Sequence, residues 1–243
     1  MFTFQQRCWL LVLPLVASCS GGSPPSAPTR PTPASISITG TDLILVGSSE
    51  TFTALSETGA ALGGWWGTDA PTVAAVEAYT GRVTAVGTGT ATIFVDAKGT
   101  RATKSIRTLP NFSGTWGGTY EETACEASGD FVVLRVCPIS EYDFHIGQMR
   151  MTLTQTRDSV SGEVKLRGGL VSDVSGNISP EGALTFTGTA RDQSEFHIEL
   201  QNVRFELPQR DEMTGTFEEV YLSRTAAPSG GWRMVSRIRR MIR

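Results

Sequence analysis

The stretch "MRMTLTQTRDSVSGEVKLRG" alternates apolar and polar residues. Met149, Met151 and Leu153 fall on one face, and Arg150, Thr152 and Thr154 fall on the other. Val160, Val164 and Leu166 resume the pattern after a polar turn at Arg157–Asp158. Period-two alternation broken by a polar turn is the pattern of two half-buried strands in a hairpin. "VSGNISPEGALTFTGTA" repeats it, with Pro180, Glu181 and Gly182 at the turn. "SEFHIELQNVRFEL" sets Phe196, Ile198 and Leu200 on one face, and "EMTGTFEEVYLS" follows in the same style. Between 111 and 243 the alternation predicts roughly eight or nine strands, the number that closes a small up-and-down barrel. Closure also removes exposed strand edges.

Upstream, "SISITGTDLILVGSSETFTALS" gives short β-rich runs broken at Gly40 and Gly47, and "RVTAVGTGTATIFVDA" alternates around a Gly-Thr-Gly turn. Short strands at this spacing predict a β-sandwich over 35–109. The fold expected is therefore all-β: a sandwich followed by a small antiparallel up-and-down barrel.

Composition agrees with that reading. Of 243 residues, 40% are hydrophobic and 19% charged, and there are 26 glycines; this is globular and turn-rich. A formal charge of −3 argues against a general nucleic-acid binder. Arg233, Arg237, Arg239, Arg240 and Arg243 crowd the last stretch, "WRMVSRIRRMIR". That tail fits a closing strand with Trp232, Met234 and Ile238 inward and the arginines on an outer face or rim, after a turn at Gly230–Gly231. The alternative is an amphipathic helix, because Met234, Val235, Ile238 and Ile242 also suit helical spacing. The strand is preferred because the barrel needs one to close.

The N-terminus has the layout of a secretory signal: a short basic-ended start to Arg7, an apolar run, then small residues. Its apolar run is too short to span a bilayer. Val16-Ala17-Ser18-Cys19 resembles the bacterial lipobox. The resemblance implies a signal peptide over 1–18 and lipid attachment at Cys19, with the several acyl chains that stable anchoring requires. The alternative is an ordinary signal peptide cut at Ala17–Ser18. Ser20 in place of Asp implies outer-membrane sorting, by likeness to Gram-negative lipoproteins. Residues 19–34 are rich in Pro, Ser and Gly and read as a disordered tether.

Within the sandwich region, "WWGTDAPTVAAVEAYTGRVTAVGTGTATIFVDA" resembles the bacterial Ig-like domain, group 2. Trp66, Asp69, Val73, Ala74, Val76, Gly81, Val83, Ala85, Gly87, Gly89, Ala91 and Ile93 stand at that family's marked positions. The resemblance implies a spacer or adhesion module. Trp66 is expected in the core, Asp69 in an Asx-type turn with nearby backbone, and Gly87 and Gly89 at tight backbone. Gly114-Thr115-Trp116 resembles the first-strand signature of the calycin barrels, lipocalins and avidins, in which the Trp closes one end. No ligand-binding residues carry over from those families.

After export the environment is oxidising. Of the four cysteines, Cys8 leaves with the signal and Cys19 carries lipid. Cys125 and Cys137, just after the first barrel strand and at the end of "FVVLRV", remain to pair. Metal binding by the two is disfavoured without a CxxC or clustered His. Asp143 and His145 share one strand face, and Glu195, His197 and Glu199 another. Alternate strand residues lie about 7 Å apart, so a solvated face is preferred to a metal site. No hydrolase, zinc-protease or phosphate-loop motif occurs. No catalytic set, metal or cofactor is expected.

The expectation is a non-catalytic, monomeric lipoprotein of the cell envelope, held by its N-terminal lipid. Its barrel binds a small apolar ligand or an envelope glycan. Alternatively it is a structural or adhesion protein whose barrel is filled. An interior packed with Met, Phe and Trp favours the second, and a cavity of several hundred Å³ the first.

Overall fold

The computed structural model describes residues 35–137, 146–191 and 195–243. Cys19, the 1–18 signal and the 19–34 tether lie outside the described residues, as do Asp143 and His145.

Ten short strands build the first part. They are β1 (Ile36–Thr39), β2 (Leu43–Leu45), β3 (Ser49–Thr51), β4 (Thr53–Ser56) and β5 (Ala61–Leu62). Then come β6 (Trp65–Thr68), β7 (Ala74–Val76), β8 (Arg82–Ala85), β9 (Gly89–Ala97) and β10 (Thr100–Leu109). One sheet runs β2-β10-β9-β6, and two shorter ones run β1-β4-β5 and β3-β8-β7. All three sheets contribute to one core around Phe52, Trp66, Ile93, Val95 and Ile106. This is the expected sandwich, with Trp66 at its centre. Asp69 departs from expectation. Its Oδ1 accepts from the Thr92 amide at 2.7 Å on β9, and Thr68 Oγ1 accepts the local Ala70 amide instead. A carboxylate reaching the next strand fixes the sheet rather than the turn.

The second part is a closed barrel of eight antiparallel strands in chain order. They are β11 (Gly114–Gly129), β12 (Ile146–Thr156), β13 (Ser159–Lys165), β14 (Val171–Ile178), β15 (Leu184–Ala190), β16 (Phe196–Gln209), β17 (Glu212–Ser223) and β18 (Gly230–Ile242). The alternation in the sequence becomes inside and outside: Met149, Met151, Leu153, Val160 and Val164 all point into the core. Each such side chain contributes about 1.5–3 kcal/mol by leaving water.

β18 resolves the basic tail as a strand paired to both β11 and β17. Gly230 and Gly231 belong to that strand rather than to a turn. Register shifts opposite its last residues put Ile238 and Met241 inward, so that the adjacent Arg239 and Arg240 are both exposed. A bulge at Asn202, which takes a positive φ of 48°, does the same to β16. Phe196, Ile198 and Leu200 face in before it and Val203 and Phe205 after it. The outer wall carries ion pairs such as Arg237–Glu121 at 3.3 Å and Arg240–Glu212 at 3.2 Å. Apolar inside and charged outside is the reverse of a bilayer-spanning barrel.

Candidate functional site

Strand direction sorts the barrel loops into two ends. The 157–158, 179–183 and 210–211 turns share one end with the entering segment at Phe112. There the interior is shut. Trp116 is fully buried, its Nε1 donates to the Phe112 carbonyl at 2.8 Å, and the Arg243 guanidinium covers its ring at 4.4 Å. Met213, Met241 and Phe205 fill the space around it. The sandwich abuts this end. Leu43 and Leu45 pack on the barrel core, and Arg157 pairs with Asp42 at 3.1 Å and Arg107 with Asp158 at 3.6 Å.

The opposite end carries the only inward carboxylates among the described residues. The period that buries Trp116 and Tyr120 on β11 also turns Glu122 inward, and the period that buries Phe217 on β17 turns Glu219 and Tyr221 inward. Glu122 and Glu219 are 6% and 4% exposed. They border a cavity of about 250 Å³, together with Tyr120, Arg167, Tyr221 and Trp232.

Each lining group is held. Gly147, paired with Tyr120, makes room for its ring; a Cβ there would lie 2.1 Å from Cζ. Arg167 projects from a tight turn in which Gly168 and Gly169 take positive φ, and it meets Glu122 at 3.4 Å. The Tyr221 hydroxyl donates to Glu219 Oε2 at 2.6 Å. Tyr221 and Trp232 are cross-strand partners whose rings stack in parallel, 4.5 Å apart. Phe196 and Phe131 pack on the edge of Trp232, and Phe131 comes from a short helical turn, α1 (Asp130–Val133).

Cys125 and Cys137 are joined in a disulfide, as expected from their pairing by exclusion. Cys125 lies within β11 rather than after it, because that strand runs on to Gly129. The bridge ties the segment after α1 back to the wall and brings Val136 to the cavity edge.

Burial is the dominant electrostatic influence here. It pushes the Glu219 carboxyl above the ordinary carboxylate value; the Tyr221 hydrogen bond opposes the rise, the nearby Glu122 adds to it and the Arg167 guanidinium opposes it. Burial, reinforced by Glu219, also holds both tyrosines in the protonated form. Two hydroxyls inside the barrel, Ser172 Oγ and Ser236 Oγ, are buried with no hydrogen-bond partner. Both belong to this half: Ser172 is near the start of β14, and Ser236 is paired with Glu122.

The row Glu195, His197 and Glu199 behaves as a strand face. His197 Nε2 and Glu199 Oε1 are 2.6 Å apart, and Gln201 donates to Glu199. Among the described residues no group of three or more His, Cys, Asp or Glu is placed to hold a metal. The mouth carries no sequence motif. Its signal was polar residues at inward positions: Glu122 two after Tyr120, and Glu219 two after Phe217.

No family model matches the chain, and no curated protein matches it significantly.

Proposed function

We propose that this chain is a non-catalytic lipoprotein of the cell envelope, in the outer membrane, anchored through Cys19. The tether and the sandwich, read as a bacterial Ig-like spacer, hold a calycin-like barrel away from the bilayer, and the barrel takes a small polar ligand at its open mouth. One observation carries this reading: the interior is filled at the sandwich end and holds a carboxylate-lined cavity at the other. An apolar ligand is a poor occupant, since covering buried carboxyls with hydrocarbon leaves them without compensation.

A second reading rests on the same packing. Met149, Met151, Met213, Met241, Phe186 and Phe205 fill most of the interior, which favours a structural or adhesion body that binds nothing inside.

Native mass spectrometry of the full chain, extracted from host membranes, separates the two. A retained polar small molecule supports the binding reading, and consistently bare protein supports the structural one. For the anchor, Cys19→Ala is expected to move the protein from the membrane to the soluble fraction. Unchanged membrane retention would overturn the lipid attachment.

A further inference from the structure

Resting on the binding reading of the mouth, we infer that its ligand is a small organic cation, an alkylammonium or alkylguanidinium group. The cation is seated beside Glu219 against the stacked Tyr221–Trp232 pair.

Three observations converge on a positive charge. Among the described residues Glu219, 4% exposed, makes no ion pair; its hydrogen bond comes from the neutral Tyr221 hydroxyl. Arg167 lies near enough to act on it electrostatically but makes its salt bridge with Glu122. A buried carboxyl without a direct ion pair is a site where a further cation gains, because the low dielectric strengthens the pairing.

The wall beside it is aromatic. Trp232 and Tyr221 both line the cavity, stacked on one another, and electron-rich aromatic rings favour nearby ammonium and guanidinium groups.

Arg167 shows the mouth already accepting this chemistry. Its side chain is 48% exposed, so a guanidinium carried on a glycine turn enters from the solvent side and is held by Glu122.

An ammonium has donors only, so it needs acceptors, and the Glu219 carboxylate at the cavity wall provides them. Two carboxylates disfavour an anion. A cavity of about 250 Å³ limits the ligand to a few heavy atoms or to the charged head of a longer one.

The test is calorimetric titration of the full-chain protein with n-butylammonium and n-butylguanidinium at low salt, with butyrate, n-butanol and glucose as matched probes. Saturable binding of the two cations is expected, with neither butyrate nor butanol binding. Glu219→Gln is expected to weaken binding at least about tenfold, or 1.4 kcal/mol, while the circular-dichroism spectrum is unchanged. Cation binding that persists undiminished in Glu219→Gln is surface attraction and overturns the inference. If glucose or butanol binds instead and Glu219→Gln reduces that binding, the mouth remains a ligand site but the cation assignment falls. If no probe binds and the extracted protein is bare, both the inference and the binding reading fall.

Discussion

At the sandwich end of the barrel, Trp116, Phe112, Met213 and Met241 fill the interior, and an arginine lies over the tryptophan ring. At the far end the same strands turn Glu122, Glu219 and Ser236 inward. The first end satisfies its one buried polar handle, the Trp116 indole N–H, through a backbone carbonyl. Among the described residues the second leaves two buried hydroxyls unpartnered and one carboxyl without a direct ion pair. A closed fold needs only one well-packed end to hold its strands together. The other end is then able to carry polar groups whose burial works against stability, which is the usual signature of a functional surface on a rigid scaffold.

That contrast can be broken most forcefully at the packed end. Trp116→Ala removes the plug and its hydrogen bond, and a loss of about 3–5 kcal/mol is expected in urea unfolding followed by far-ultraviolet circular dichroism. A loss under about 1 kcal/mol would show that the packed end is not what holds the barrel. At the open end the support is covalent. Replacing Cys125 and Cys137 together by serine is expected to cost about 3 kcal/mol in urea unfolding against the oxidised parent without reductant, because the bridge closes a short loop in the unfolded chain.

A smaller effect with a distinctive pH signature is expected at Glu219. Burial raises its pKa in the fold above the ordinary 4.5. Between those two values the native state keeps a proton that the unfolded chain has released. The contribution of this group to stability is therefore fullest below the unfolded value and declines as pH climbs through the folded one. Glu219→Gln removes the decline. Its melting temperature is expected to exceed that of the parent at about pH 8 and to match it at about pH 4, below both pKa values. A difference that does not change with pH would refute the buried-carboxyl account.

The smallest effect belongs to the junction between the two parts. Asp42→Asn breaks an exposed pair with Arg157, and exposed pairs contribute little. No measurable change in melting temperature is expected, and a clear drop would mean that the sandwich braces the packed end.

Much of this was legible in the chain. Met149-x-Met151-x-Leu153 announced an inward face, and the burial of those residues follows from period two alone. The closing strand was readable because a barrel must close. Two misplacements have a common cause. The Gly230–Gly231 pair looked like a turn, and Asp69 looked like a local cap. Their partners, β11 and β17 for the one and Thr92 for the other, are distant in sequence. Bulges are equally hidden: nothing local in "LQNV" says that inward residues switch from Leu200 to Val203.

The sequence by itself determined the all-β character, the inward face of strands free of bulges and the pairing of Cys125 with Cys137. Those depend on side-chain period, on turn residues and on counting thiols. Only the tertiary structure decided that Glu122, Glu219, Arg167 and Trp232 meet at one mouth. They come from β11, β17, β18 and a turn, and closure of the barrel through β11 and β18 is what brings them together. Period tells which way a residue faces, but only closure tells what it faces.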